Sequence, residues 1–342
     1  MLALASPDLL RRAQGAVLDL AGLGPSECDY KIAASRAGWR LRAYSGSSHG
    51  PAILVVAAPI KRPYIWDLAP SSSAIRACMS QGLRVYLIEW IPCKDAMRSG
   101  GLIQYAEEIG KAVACVATDT DKQPFLIGHS LGGTLAAIYA ALEAKSTQGL
   151  VLLSSPLCFR PGISRFSDTL GALAPIGFTR SGPIPGSLIS QFSALASPEE
   201  FVWARSMDAA LSTADAYTAE LHMRIERWML DEVPLSGELV RQVLQWLYRE
   251  DRFCRGLLAI SDKVVGPSCL QCSTLAVVNT ADRVAPPESV TDFLQSMHQA
   301  DTKLILFPGE IGVCLQHLAV LVGQVAHARI WPAIISWIKQ RS

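Results

Sequence analysis

The stretch LIGHSLGGTLAAIYAAL, Leu126–Leu142, decides the fold: an apolar strand runs into a glycine-flanked serine, and an alanine-rich helix follows at once. Gly128-His129-Ser130-Leu131-Gly132 matches G-x-S-x-G. Alone the pattern is a weak signal, because glycine and serine are common residues. Its context strengthens it: strand, tight turn and helix are what a nucleophile elbow needs, with glycines where neighbouring backbone must approach closely. Ser130 is therefore read as a nucleophile, the alternative being a small residue in a tight turn.

Outward from the elbow, short Val/Ile/Leu-rich runs recur at 52–59, 84–90, 124–129, 149–156, 273–280 and 303–309, with helical segments between them. Near-continuous apolar strands alternating with helices predict a mostly parallel sheet buried on both faces, an α/β fold. Residues 157–272 carry no strong strand signal, and this gap far exceeds an ordinary connection. It is read as an inserted cap or lid over the carboxyl edge of the sheet, a Pro/Gly/Ser-rich part followed by helices. The expected core is then 1–156 with 273–342, its first 30 residues a helical segment. Leu9–Leu23 has amphipathic helical spacing and is expected to dock.

Composition narrows the function. The 342 residues are half apolar and 18% charged with net charge +1, which leaves no basic field for nucleic acid. The longest apolar run, at 51–60, is too short to span a bilayer, and no basic start of a signal peptide precedes Asp8. Nine scattered cysteines, an odd count, argue against a disulfide framework and for a reducing compartment, so the cytoplasm is expected. Cys269 and Cys272 form a C-x-x-C without a second pair, and core cysteines are the expected reading.

A serine nucleophile needs a base, and the base needs an orienting carboxylate, in the chain order Ser, Asp, His. Asp282 ends the strand TLAVVNTAD and is the candidate acid; the alternative is a surface carboxylate capping the next segment. His317 follows the last strand and is the candidate base, whereas His49, His222, His298 and His327 fall elsewhere; the alternative is a buried histidine in an apolar run. His129 should turn toward packing or the pocket rim. The first helical N–H groups, beginning with Leu131, are aimed where an oxyanion would form, and a second donor is expected from the backbone of Ile60 or Lys61.

These residues resemble the poly(3-hydroxyalkanoate) synthases, α/β-hydrolase-fold proteins, particularly the short-form catalytic subunit. Lys61–Trp90 is similar to that family's NRPYILDL block and its D-W strand end, with Glu89 where Asp is usual. Arg227–Asp251 resembles its cap segment, Asp251 standing for the usual Asn. Ala281–Pro287 matches D-H-x-V-P with Arg283 for His, and His317–Ile338 resembles the family's end. The resemblance thus also points to Asp282 and His317. Two departures stand out: Ser130 replaces the cysteine of the G-x-C-x-G-G box, and Gln316 replaces the glycine before the histidine. An alternative alignment sets FPGEIGV, Phe307–Val313, on the family's FPGGHIGV and leaves Glu310 at the base position.

Three functions follow. The first is acyl transfer through acyl-Ser130 from hydroxyacyl thioesters or esters, to water or to a hydroxyl acceptor. The second is lid-controlled hydrolysis of other apolar esters. The third is a non-catalytic relative that binds a synthase or a polymer granule. None needs a metal or organic cofactor, and coenzyme A would enter only as the acyl carrier. The resemblance further implies a homodimer formed through the cap.

Overall fold

A computed structural model describes residues 7–44, 46, 49–91, 100–177 and 182–342. The extreme N-terminal residues used in the signal-peptide reading, and 178–181 of the insertion, lie outside them. The main sheet has eight strands: β1 (Tyr30–Ser35), β2 (Trp39–Tyr44), β3 (Ala52–Val56), β4 (Arg84–Trp90), β5 (Phe125–His129), β6 (Gly149–Leu153), β7 (Ser273–Asn279) and β8 (Thr302–Phe307). Their order is β1-β2-β4-β3-β5-β6-β7-β8. β1 and β2 pair antiparallel, as do β2 and β4; every later pairing is parallel.

The central strands are apolar on both faces because both faces are covered. Along β3, Leu54 and Val56 join one core with α3 (Leu102–Thr120) and α4 (Leu131–Leu142). Ile53 and Val55 alternate to the other side, packing with α2 (Ala74–Ser80) and the C-terminal helix, whose Trp331 and Trp337 are fully buried. The hairpin β1–β2 is absent from the sequence-based reading. Arg40 and Arg42 interrupt its apolar residues, so it lacks the continuous pattern of the inner strands. Arg42 is nevertheless buried, held by Glu27 and Glu89.

α1 (Pro7–Leu20) precedes the sheet and docks on the inserted segment. Arg11 makes a two-pronged bond to Glu232, and Arg227 makes another to Asp19. The insertion between β6 and β7 contains α5 (Arg165–Gly177), α6 (Gly186–Ala196), α7 (Arg205–Ser212), α8 (Ala216–Met229) and α9 (Gly237–Gln242), with π-helical turns at Glu199–Ala204 and Val243–Arg249. Single bridges, Lys61 with Glu232 and Ile184 with Leu235, tie it to the core loop after β3 and to itself. After β7 come α10 (Glu288–Gln295), α11 (Ala319–Val322) and α12 (Trp331–Lys339).

One cysteine expectation is corrected. Cys158, after β6, is disulfide-bonded to Cys254, in the last part of the insertion, across 96 positions of sequence. The fold brings their Cα atoms to 5.0 Å, a proximity that no local spacing encodes. Cys269 and Cys272 are free thiols, and burial pushes Cys272 above the ordinary thiol range. Among the described residues no single helix is long and apolar enough to cross a membrane.

Candidate active site

Every residue of β5 is buried, and the chain must reverse at its end to start α4. Ser130 makes that reversal at φ +53°, ψ −134°, a conformation that costs a residue with a β-carbon of order 1–3 kcal/mol. The surroundings impose it. Ser130 N–H donates to Leu153 O at 3.1 Å, and Ser130 O accepts from Gly133 N–H and Thr134 N–H. A β-carbon on Gly132 would overlap the carbonyl oxygen of Val56, so only glycine lets α4 start this close to β3. Leu131 opens α4, and its N–H therefore has no intrahelical acceptor.

Asp282 lies three residues beyond β7 and is 1% exposed. Its Oδ1 accepts Val284 N–H and Ala285 N–H, both at 2.9 Å, and its Oδ2 lies 2.7 Å from His317 Nδ1. The two backbone bonds orient the carboxylate, so His317 is read as donating Nδ1–H, with the lone pair on Nε2. Nε2 is buried without a hydrogen-bond partner. Ser130 and His317 line the same cavity, with no hydrogen bond joining Ser130 to that nitrogen.

The segment before His317 is anchored from several sides. Asn279, the last residue of β7, donates Nδ2–H to Gln316 O at 2.9 Å and to its side-chain oxygen at 3.1 Å. His129 Nε2 lies 2.7 Å from His317 O. A carbonyl only accepts, so His129 carries its proton on Nε2 and donates it. Burial, reinforced by the neighbouring His317, pushes His129 down to about 3 and keeps it neutral. Its ring lies 4.7 Å from that of His317. Glu310, the other candidate for the base position, accepts Val325 N–H and Ala326 N–H at 2.8 and 3.0 Å. It is spent on a helix start, and His317 is the group brought to Asp282.

Ile60 and Lys61 border the cavity. Ile60 O accepts Val233 N–H at 3.1 Å, and Lys61 Nζ donates to Met229 O at 2.6 Å. Burial pushes Lys61 down to about 8, against the pull of Glu232. The cavity is about 1310 Å³ and predominantly apolar. Core residues including Leu131 form one side; Val17 and Leu18 of α1 and Phe166, Phe201, Leu244 and Tyr248 of the insertion form the others.

Among the described residues one group, His222, Glu226 and Cys314, has the spacing of metal ligands. Arg205 already donates to both Glu226 oxygens. For His222, burial works against protonation, but Asp208 and Glu226 outweigh it and push the imidazole up to about 9. A protonated imidazole beside a paired carboxylate is a poor cation site.

Sequence reasoning did not single out the supporting roles of Asn279, His129, Asp208 and the insertion's charged cluster. All act through contacts distant in sequence, and only the histidine inside the elbow carried a local signal.

Residues 66–208 match the family model described as alpha/beta hydrolase fold. The chain is 28% identical over 302 residues to the poly(3-hydroxyalkanoate) polymerase subunit PhaC of Haloferax mediterranei, covering 85% of this chain and 59% of that protein. With the PhaC subunit of Allochromatium vinosum it is 25% identical, covering 84% and 81% of the two chains. The chain thus spans about three fifths of the length of the first of these relatives. Among solved structures, the monoacylglycerol lipase of Paleococcus ferrophilus superposes with a TM-score of 0.56 at 18% identity, covering 89% of this chain and 99% of that one.

Proposed function

For a chain that has the α/β-hydrolase fold and is similar to poly(3-hydroxyalkanoate) polymerase subunits over most of its length, we propose acyl transfer through an ester of Ser130. The observation that carries this reading is the Asp282–His317 pair, its outer nitrogen unpartnered, bordering the same apolar cavity as the strained Ser130. Each component has a defined task.

His317 Nε2 takes the proton of Ser130 Oγ as Oγ attacks the acyl carbonyl, and Asp282 holds the resulting imidazolium. Leu131 N–H, with a backbone N–H of Ile60 or Lys61, stabilises the oxyanion. His317 then protonates the leaving group, coenzyme A from a thioester or an alcohol from an ester. In the second half, His317 deprotonates water or a hydroxyl acceptor, which attacks acyl-Ser130 and releases the serine. No cofactor takes part.

The serine bears on the outcome. A thiolate suits repeated thioester exchange, whereas an oxoester at Ser130 is more stable, and water is its simplest acceptor unless the cavity is kept dry. Hydroxyacyl thioesters or esters are therefore the proposed substrates, with residues 157–272 as a cap that limits water entry. The apolar lining of the cavity also suits lid-controlled hydrolysis of other apolar esters.

The test is the intact mass of the protein and of its Ser130→Ala variant after incubation with 3-hydroxybutyryl-coenzyme A. A Ser130-dependent ladder of hydroxyacyl additions establishes chain-growing transfer, and release of coenzyme A and free 3-hydroxybutyrate in many-fold excess over enzyme, with at most a single adduct, establishes hydrolysis. Neither adduct nor release removes the thioester reading. A Ser130→Ala variant that keeps its full biological effect would establish a binding protein instead.

A further inference from the structure

The segment carrying His317 does not hold its shape by itself. Between β8 and His317 the chain turns through Gly312 at φ +86° and Cys314 at φ +64°. A left-handed φ at a residue with a β-carbon needs surroundings that over-determine it. At Cys314 those surroundings come from the insertion. Asp208 of α7 is buried and accepts Gly312 N–H on Oδ1 and Cys314 N–H on Oδ2, both at 2.8 Å. His222 of α8 lies with Nδ1 2.8 Å from the same Oδ2, which holds the carboxylate in place. A β-carbon on Gly312 would overlap the Thr218 side chain, so the loop lies directly against α8. The Cys314 thiol donates to Glu226 Oε1 at 3.2 Å, and Glu226 is clamped by Arg205.

We infer that Asp208 is a positioning residue for His317: by binding two backbone N–H groups of the 310–316 loop, the insertion decides where the imidazole stands relative to Ser130. Asn279 and His129 anchor the end of that loop at Gln316 and His317, and Asp208 anchors its middle. The coupling also reaches the cavity, because Arg205, His222 and Glu226 border it. An acyl chain that shifts α7 or α8 thereby shifts the base. This inference rests on the reading of His317 as the base.

Asp208→Asn is the test, since it keeps the shape but leaves one acceptor oxygen, so one of the two amides faces an NH₂ group. With p-nitrophenyl butyrate, too short to fill the cavity, kcat should fall on the order of tenfold to a hundredfold while KM stays within about twofold. The far-downfield proton of His317 Nδ1–H, identified by its absence in His317→Ala, should weaken in the same variant. A folded Asp208→Asn protein with unchanged kcat and an unchanged His317 proton overturns the inference. If the variant does not fold, amide exchange of Gly312 and Cys314 in the unaltered protein decides: protection supports the inference, and exchange at open-loop rates overturns it. Absence of any Ser130-dependent ester turnover would sink the functional reading alone, because the His317 proton and the amide exchange still judge the positioning.

Discussion

At the scale of single residues, the elbow's own histidine has a task distinct from the serine's. His129 supplies the donor that fixes the His317 carbonyl, and its neutrality keeps a second positive charge from the ring that becomes an imidazolium. His129→Phe keeps a ring and loses the donor. It should lower kcat for a short ester about tenfold, the effect of about 1.4 kcal/mol at the transition state, with His129→Gln recovering part of the loss. Steady-state kinetics on the two variants check this.

Asp251 offers a second residue-scale prediction. It accepts Phe159 N–H on Oδ1, while Oδ2 is buried and unpartnered. Burial pushes its carboxyl up to about 6, which the nearby Arg160 and Arg255 only partly offset and Asp292 reinforces. The folded pKa lies above the unfolded value of about 3.9, so the stability associated with the protonated form is complete below about pH 4 and lost as pH rises through about 6. Asp251→Asn removes this loss. It should stabilise the protein by about 1–3 kcal/mol at pH 8 and change little at pH 4, which denaturant titrations at both pH values would show.

At the scale of elements, α1 is a wall of the cavity that packs on α6 and α8 and is joined to the insertion by charged pairs. Arg11 on Glu232 and Arg227 on Asp19 join it to the insertion, and Val17 and Leu18 line the chamber. Each pair joins a buried group, Glu232 or Arg227, to a more exposed partner on α1, so the attachment of α1 depends on both charges being matched. Reversing one pair with Arg11→Glu should open it. KM for a long-chain ester should then rise severalfold while that for a butyrate ester changes little, since only a long chain reaches α1. Paired KM measurements on the two esters decide the point.

The elements also differ in how legible they were. The inner strands announced themselves because burial on two faces demands unbroken apolar runs, as in Ile53–Val56 and Leu126–Ile127. β1 and β2 did not, because an outer hairpin with buried and exposed arginines has no such run. Asp282 and His317 were legible as candidates from their places after β7 and β8. The competition between His317 and Glu310 was not legible, because which of them meets Asp282 depends on a loop bent through two left-handed residues.

At the scale of the whole molecule, the disulfide joins the start of the insertion to a residue beyond its π-helical turn at Val243–Arg249. Cys158 and Cys254 close a loop of most of the inserted segment. In the chain-entropy view a crosslink over about 100 residues restricts the unfolded ensemble by about 4–5 kcal/mol. Replacing both cysteines with alanine should therefore lower stability by up to that amount. The loss should show as a lower denaturant midpoint, and reductant should reproduce it in the unaltered protein.

By itself the sequence determined the α/β sheet and the strand–serine–helix turn, because both are written in local periodicity and in glycines that only a close approach requires. Tertiary structure alone decided that His317 and not Glu310 meets Asp282, which cysteines pair, and that the insertion grips the loop carrying His317. Those outcomes rest on contacts between residues about a hundred or more positions apart, or on the path of one bent loop. Burial and complementary hydrogen bonding select them only once the sheet has brought its carboxyl edge and the insertion together.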